Sequence, residues 1–318
     1  MIKKRKLGKS DLNVSEIGLG GWQLGAPVQI NNKPGTSFGG LDEDTAYRII
    51  TTALELGVTT FDTADIYSLG NSEIRLGNIL KDYRSDVQIF TKAGHVPGFP
   101  KWSIDYSYNH LISAIDRSLS RLQTDYVDLF QIHYPPNSEE DYVSIEKAFN
   151  SIKSDSKASY CGISVGIHYD KAIEIIKRGI VDCIQLYFTL IDPKPLETLL
   201  PLAKKNNIGI IVAEPLAQGF LTNKYKPGHV FPNDDIRHHA YPNELLQLKL
   251  ERSKQFEFLQ NSNRSLSQAS LAYILSREEI STCIPGVKSL EQLNSNVDAS
   301  TIRLSSDELK KISIIQNN

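Results

Sequence analysis

Four polar residues suited to proton chemistry stand at or just past the C-terminal ends of apolar runs. Asp62 and Tyr67 lie in FDTADIY, Lys92 in IFTKAG and His133 in VDLFQIH. A carboxylate, a phenol, an ammonium and an imidazole brought together make a proton-donating site. An unperturbed phenol titrates near ~10, and a neighbouring ammonium favours its charged form. Tyr67 is therefore expected within hydrogen-bond reach of Lys92, with Asp62 paired to Lys92 and holding it. Each residue also has an ordinary reading. Asp62 can cap a turn, Tyr67 is one of 14 tyrosines, Lys92 can face solvent and His133 can be a hydrogen-bonded core residue. The chemical reading rests on the four converging, which requires particular elements.

Those elements are legible as short apolar runs alternating with helical patterns. Strands are predicted at 17–20, 59–62, 87–92, 127–133, 160–164, 183–186, 208–213 and 282–284. Most are rich in Ile, Val, Phe and Thr on successive residues, as expected of strands covered on both faces. Helix periodicity fills the intervals. In 108–122 the apolar face is Leu111, Ile112, Ile115, Leu119 and Leu122, with Asp116, Arg117 and Arg121 opposite. In 42–56 it is Ala46, Ile49, Ile50, Ala53 and Leu54, and Gly57 follows as a stop. Ser305 and Glu308 form a capping-box pattern, with Leu304 and Leu309 spaced as a hydrophobic staple.

Eight strands alternating with helices predict a right-handed (β/α)8 TIM barrel, α/β in class. The whole chain, 1–318, reads as a single such domain, with its chemistry at the C-terminal face of the strands. A doubly wound sheet would need a Gly-rich turn running into a helix after its first strand. GLGGWQLG has the glycines, but Trp22 and Gln23 occupy the place of the helix start. Ahead of the first strand, Lys6-Leu7 and Val14-Ser15 flank a turn and read as a β-hairpin able to plug the bottom of the barrel. Residues 214–243, dense in Pro, Gly, Asn, Asp and His, break the period and read as a lid or a disordered loop.

Composition narrows the class. The chain has 318 residues, 40% of them hydrophobic, and a net charge of −2. That balance gives no reason to expect a nucleic-acid partner. No apolar run approaches spanning length, so no membrane association is expected. The basic start MIKKRKL lacks the apolar stretch of a signal peptide. Cys161, Cys183 and Cys283 fall in strand-like runs and read as reduced structural thiols of a cytoplasmic protein.

Five blocks in order resemble the aldo-keto reductase superfamily: LGKSDLNVSEIGLGGWQLG, GVTTFDTADIYSLGNSEIRLG, SLSRLQTDYVDLFQIHYPP, PLAQGFLTNKY and IPGVKSLEQLNSN. They span nearly the whole chain. The resemblance implies a (β/α)8 barrel that reversibly reduces aldehydes and ketones with NADPH/NADP+ and no metal. It makes Asp62, Tyr67, Lys92 and His133 a catalytic tetrad. In that setting charge builds on the carbonyl oxygen, Tyr67 is the general acid, and His133 hydrogen-bonds and orients the carbonyl. Glu73 can support the site or serve as a helix-start acid.

The resemblance also implies a cofactor path from Gly21, Trp22 and Asp62. It places Ser164 and Gln185 on the nicotinamide amide. Pro215, Leu216, Gln218, Gly219 and Leu221 follow at the pyrophosphate, where backbone N–H groups would serve. Gly286, Lys288, Gln292 and Asn296 lie at the 2′-phosphate. The chain departs from the family pattern in three places. Val165 stands where Asn is usual, Gln292 where Arg is frequent, and Ala213-Glu214-Pro215 lacks the ring that stacks on nicotinamide. Lys288 is then the one clear cation for the phosphate. Trp22, Trp102 and Tyr134 are candidates to line the pocket for a small-molecule carbonyl substrate. The protein is expected to act as a monomer or weak homo-oligomer. Two other readings stand beside this one: an NADP-binding regulatory subunit of low turnover, and a barrel lyase or isomerase.

Overall fold

A computed structural model describes residues 2–26, 29–30, 33–34, 40–97, 103–233, 235 and 237–317. Eight strands form one parallel sheet: β1 (Leu19–Gly20), β2 (Thr60–Asp62), β3 (Gln88–Ala93), β4 (Val127–Ile132), β5 (Ala158–Gly166), β6 (Cys183–Tyr187), β7 (Gly209–Ala213) and β8 (Ile280–Cys283). Each strand pairs with its neighbours in sequence from β1 to β8. Parallel bridges Ile17–Cys283 and Gly20–Gly286 join the two ends. The sheet thus curls into the (β/α)8 barrel, with helices packed outside it. The eight runs read from the sequence are these strands, shifted by a residue or two at their ends.

The strands are apolar on successive residues because side chains meet neighbours on both sides. Phe61, Ile89, Phe90, Leu129, Phe130, Ile184, Ile210 and Ile211 are all fully buried. The helix Tyr108–Leu122 buries Leu111, Ala114, Ile115, Ser118 and Leu122, the face expected from its periodicity, and starts at the Ser107 cap. Asp42 caps the helix Glu43–Glu55 by accepting from Thr45 N. The capping box of Ser305 and Glu308 is present.

The N-terminal hairpin pairs Lys4–Lys6 with Asn13–Ser15. It lies under the N-terminal ends of the strands. Lys9 N donates to Asn207 O at 2.7 Å. The Arg5 guanidinium donates to the carbonyls of Leu275, Arg277 and Ile280 and pairs with Glu16. This plug leaves the C-terminal face as the open end.

The 214–243 segment is ordered rather than loose over its described residues. Phe220 stacks edge-on against Tyr225 and Tyr241, and Tyr225 against Phe231. The short helix Arg237–Ala240 completes it. Its Pro and Gly content masks four aromatics that bury one another. No helix among the described residues is long and apolar enough to cross a membrane.

Candidate active site

Strand ends deliver the four proton-handling residues. Asp62 closes β2 and Lys92 lies one residue from the end of β3, while His133 follows β4. The Lys92 ammonium has no solvent exposure and donates to Asp62 Oδ2 at 2.5 Å and to Thr63 O at 2.9 Å. Asp62 also accepts from Gln185 Nε2 at 2.8 Å through its other oxygen. A buried charge pair holds its geometry only when its remaining lone pairs and protons are satisfied, and Gln185 and Thr63 do this.

Tyr67 reaches the same place through an unusual turn. After it, Ser68 and Leu69 have φ of 51° and 53°, and Gly70 has φ 90°. Gly70 suits the turn because its φ of 90° is strained for any residue with a Cβ, and a Cβ there would also displace the Arg121 side chain. Arg121 in turn pairs with the fully buried Glu73 at 2.6 Å, and Glu73 accepts from Thr91 on β3. Glu73 therefore sits in the first turn of the helix Asn71–Leu80 and also braces the Tyr67 turn against the sheet. The Tyr67 ring packs edge-on against His133 at 5.4 Å and Trp22 at 4.9 Å. Lys92 Nζ lies 5.2 Å from its centroid.

The electrostatics depart from the sequence expectation. Among the described residues no hydrogen bond joins Tyr67 to Lys92. Burial, and then the Asp62 carboxylate, hold the Tyr67 phenol well above its ordinary pKa instead of lowering it. Burial is the larger cause, because it disfavours the charged phenolate, and the carboxylates of Asp62, Glu214 and Asp65 push in the same direction. Burial also lowers Lys92, opposed by Asp62. His133 is lowered well below its ordinary value by burial and then by Lys92, so it is a neutral imidazole. Its Nδ1 is buried without a partner. Asp65, inside the loop between Asp62 and Tyr67, is pushed up to about 7 by burial and by Glu73.

A groove of about 820 Å³ opens over these residues and runs across the barrel mouth. Gly21, Trp22, Asp62, Tyr67, His133, Ser164 and Gln185 line one end. Ser164 Oγ donates to Gln185 Oε1 at 3.3 Å. Pro215, Leu216, Gln218 and Gly219 line the middle, where Ala217, Gln218 and Gly219 are left-handed. Gly286, Lys288, Gln292 and Asn296 line the far end. A Cβ on Gly286 would meet the end of the Gln23 side chain, which would have to move aside.

One expected residue is placed elsewhere. Leu221 is fully buried, and its N–H donates to Leu216 O, so it does not face the groove. The Gly219 N–H is likewise used on Leu216 O, although Gly219 lines the groove. Trp102 lies outside the described residues.

The family model of the aldo/keto reductases matches residues 16–317. The chain belongs to the aldo/keto reductase family. It is 32% identical to an uncharacterized oxidoreductase, YqkF, of Bacillus subtilis, over 98% of this chain and 95% of that one. It is 28% identical to the NADH-specific methylglyoxal reductase of Escherichia coli, over 96% and 95%. Among solved structures, the holo form of the aldo-keto reductase AKR11C1 from Bacillus halodurans is similar, with TM-score 0.80 and 31% identity, covering 99% of this chain and 96% of that one.

This aldo/keto reductase is thus an oxidoreductase of a family that uses nicotinamide cofactors on small molecules. Its groove also holds residues that the sequence reading missed. Tyr187 pairs in register with Ala213, so a ring lines the groove one strand away from the position that lacks one. Glu214, at φ 49°, brings a mostly buried carboxyl into the groove, where Gln218 donates to it at 2.8 Å. Lys224 and Arg237 add two cations to Lys288 along the lining. The Arg237 guanidinium donates to Gln218 O and Tyr225 Oη. Cations sparse in a Pro-rich stretch gave no periodic signal. Tyr134 lines the groove beside an unanticipated His168.

Proposed function

We propose that this aldo/keto reductase reduces an aldehyde or ketone to the alcohol with NADPH, using Tyr67 as the general acid. The observation that carries the reading is the buried Asp62–Lys92 pair beside Tyr67 and His133 at the mouth of a groove long enough for a dinucleotide.

The groove fits such a cofactor on chemical grounds. Ser164 and Gln185 offer a hydroxyl and an amide to the nicotinamide carboxamide. In the left-handed turn at Ala217–Gly219 the Ala217 and Gly219 N–H groups are used within the turn, on Glu214 O and Leu216 O, which leaves the Gln218 backbone N–H as the donor for a pyrophosphate. Lys288 precedes the helix Leu290–Asp298, whose first N–H groups favour negative charge. Asn296 and Gln292 complete that end. A relative that is NADH-specific by name sits in the same family, so the preference for NADPH rests on this chain's own cations, Lys288 and, along the wall, Lys224; the Arg237 guanidinium is paired with Asp235 and holds the turn through Gln218 O.

When bound, the nicotinamide supplies the hydride. Tyr67, kept protonated by burial, donates its phenolic proton to the carbonyl oxygen. His133, neutral, hydrogen-bonds the same oxygen. Asp62 fixes Lys92, which stabilises the tyrosinate left after transfer. Trp22 and Tyr134 flank the substrate. The chain acts as one catalytic domain, a monomer or weak homo-oligomer. Three buried, unpaired cysteines favour the cytoplasm. Steady-state oxidation of NADPH and NADH against a panel of aldehydes and ketones tests the reading. Turnover at rates of about 0.1 s⁻¹ or more supports it, since typical enzymes run at ~1–1000 s⁻¹. Tight NADPH binding without turnover would replace it with a regulatory role.

A further inference from the structure

Beyond the tetrad, the substrate side of the groove carries a second polar device. Tyr134 Oη and His168 Nε2 are 2.6 Å apart, their rings 4.9 Å apart and both lining the groove. The two residues come from different strand ends: Tyr134 follows His133 after β4, and His168 follows β5. Their pairing is not a consequence of local geometry. Both ends are also tied down. Tyr106 Oη donates to Tyr134 O at 2.7 Å. Tyr169, next to His168, donates from its hydroxyl to Tyr187 O at 2.9 Å. A phenol and an imidazole fixed in this way form a preorganised binding element of the kind rigid sites use.

The pair is continuous with the proton-donating centre. Tyr67 stacks on His133, His133 on His95 at 4.9 Å, and His95 on Tyr134 at 6.1 Å. The substrate side among the described residues therefore sets phenols and imidazoles, Tyr67, His133, Tyr134 and His168, beside the aliphatic Val165 and Ile167. One phenol hydroxyl and one imidazole nitrogen satisfy each other across a single hydrogen bond. A phenol oxygen has a further lone pair beyond that bond, so the pair can still engage a ligand hydroxyl.

We infer that the substrate is a hydroxylated carbonyl compound, whose hydroxyl is recognised by the Tyr134–His168 pair while its carbonyl faces Tyr67 and His133. The inference rests on the carbonyl-reductase reading and sharpens it to a substrate class. A substrate hydroxyl that donates to the remaining lone pair of Tyr134 Oη gains a hydrogen bond that the analogue without one cannot make.

The test compares substrates matched in size that differ in hydroxyl for methyl: hydroxyacetone against butanone, and glyceraldehyde against 2-methylbutanal. Each is corrected for its free carbonyl fraction. Wild type is expected to favour the hydroxylated member by ~10-fold or more in kcat/KM, the equivalent of one good hydrogen bond. In Tyr134→Phe and His168→Leu that ratio is expected to fall toward one, with the larger loss on the hydroxylated member. Two variants from different strands guard against one failing to fold, and thermal melting reports which is sound. A wild-type ratio near one, or a ratio that neither substitution moves, would overturn the inference and leave the carbonyl-reductase reading intact. No turnover of any of the four compounds, with either cofactor, would overturn both.

Discussion

Lys92 Nζ and Asp62 Oδ2 are 2.5 Å apart, with the ammonium fully shielded from water and the carboxylate nearly so. The attraction is strong there, and so is the cost of breaking it. Removing one partner of a buried pair leaves a charge uncompensated, at a cost of about 3–5 kcal/mol. Asp62→Asn is expected to lower the melting temperature as well as turnover. Asn keeps one oxygen that can accept from Gln185, but an NH2 donor in place of the other carboxylate oxygen cannot accept from the Lys92 ammonium. Unchanged thermal unfolding of that variant would show that the pair does not stabilise the fold.

Tyr67 stays protonated across the neutral range because burial and Asp62 raise its pKa. A phenol held neutral is always loaded for donation, and its conjugate base must be stabilised as it forms. Tyr67→Phe is expected to reduce kcat at least ~100-fold, the lower end of general-acid contributions. The dissociation constant for NADPH should change less than ~2-fold. Full activity in the Phe variant would remove Tyr67 from the mechanism.

Asp65 gives a pH signature in stability. Its carboxyl titrates near 7 in the folded chain against an ordinary value of 3.8. Between about pH 4 and 7 the unfolded chain releases this proton while the folded chain keeps it. The unfolded state then binds fewer protons, so stability falls as pH rises through that window and stays lower above it. The groups facing Asp65 are Glu73, which raises it, and Arg121 and Arg117, which lower it. Asp65→Asn removes the ionisation. The variant is expected to be more stable than wild type at pH 8, by about 1–2 kcal/mol after allowance for partial exposure, and to lose that advantage by pH 4. Denaturant titrations at the two pH values measure it. An advantage that does not depend on pH would assign the effect to packing.

Much of this site was legible because a barrel repeats one rule. A polar residue ending an apolar run of strand length lands at the mouth, and Asp62, Lys92 and His133 each obey it. What lay beyond reach depends on packing between distant elements. Gln185 meets Asp62 across 123 residues, and Arg121 meets Glu73 across 48. No local pattern specifies such pairs. The direction of the Tyr67 shift lay beyond reach for the same reason: burial, its larger cause, and the Asp62 carboxylate beside it both come from packing that the run FDTADIY does not show. In 214–243, turn-forming residues hid the aromatic cluster and the placement of Arg237. Tyr187 escaped notice because its importance lies in its register with Ala213 on the next strand.

The turn after Tyr67 stores strain that a substitution can release. Ser68 and Leu69 both take left-handed backbone, which costs a residue with a Cβ roughly 1–2 kcal/mol. The Ser68 hydroxyl is also buried without a partner. Ser68→Gly removes both penalties, partly offset by the greater freedom of Gly in the unfolded chain. A net stabilisation of about 1 kcal/mol is expected in chemical denaturation. A loss of stability would mean that the Ser68 side chain, packed against Gly25, fills space the turn needs.

Cofactor choice falls to few residues. Gln292, where an Arg is frequent in the family, does not simply vacate a phosphate contact. Its Oε1 accepts from the Lys288 N–H at 2.8 Å, so it braces the backbone that carries the exposed Lys288 side chain. Lys288 is then a point charge on a fixed stem at the start of the helix Leu290–Asp298. Only NADPH carries a 2′-phosphate. Lys288→Ala is expected to weaken NADPH about 10-fold, roughly 1.4 kcal/mol, while NADH changes less than ~2-fold. The difference should shrink as salt is added, since an exposed contact is screened. Arg237→Ala offers the contrast. Arg237 is tied to the turn through Gln218 O, so its loss should weaken both cofactors alike. Fluorescence titration of the two cofactors against wild type and both variants separates these outcomes. Equal losses of NADPH and NADH in Lys288→Ala would show that Lys288 shapes the groove without reading the phosphate, and the preference for NADPH would then have to come from another cation.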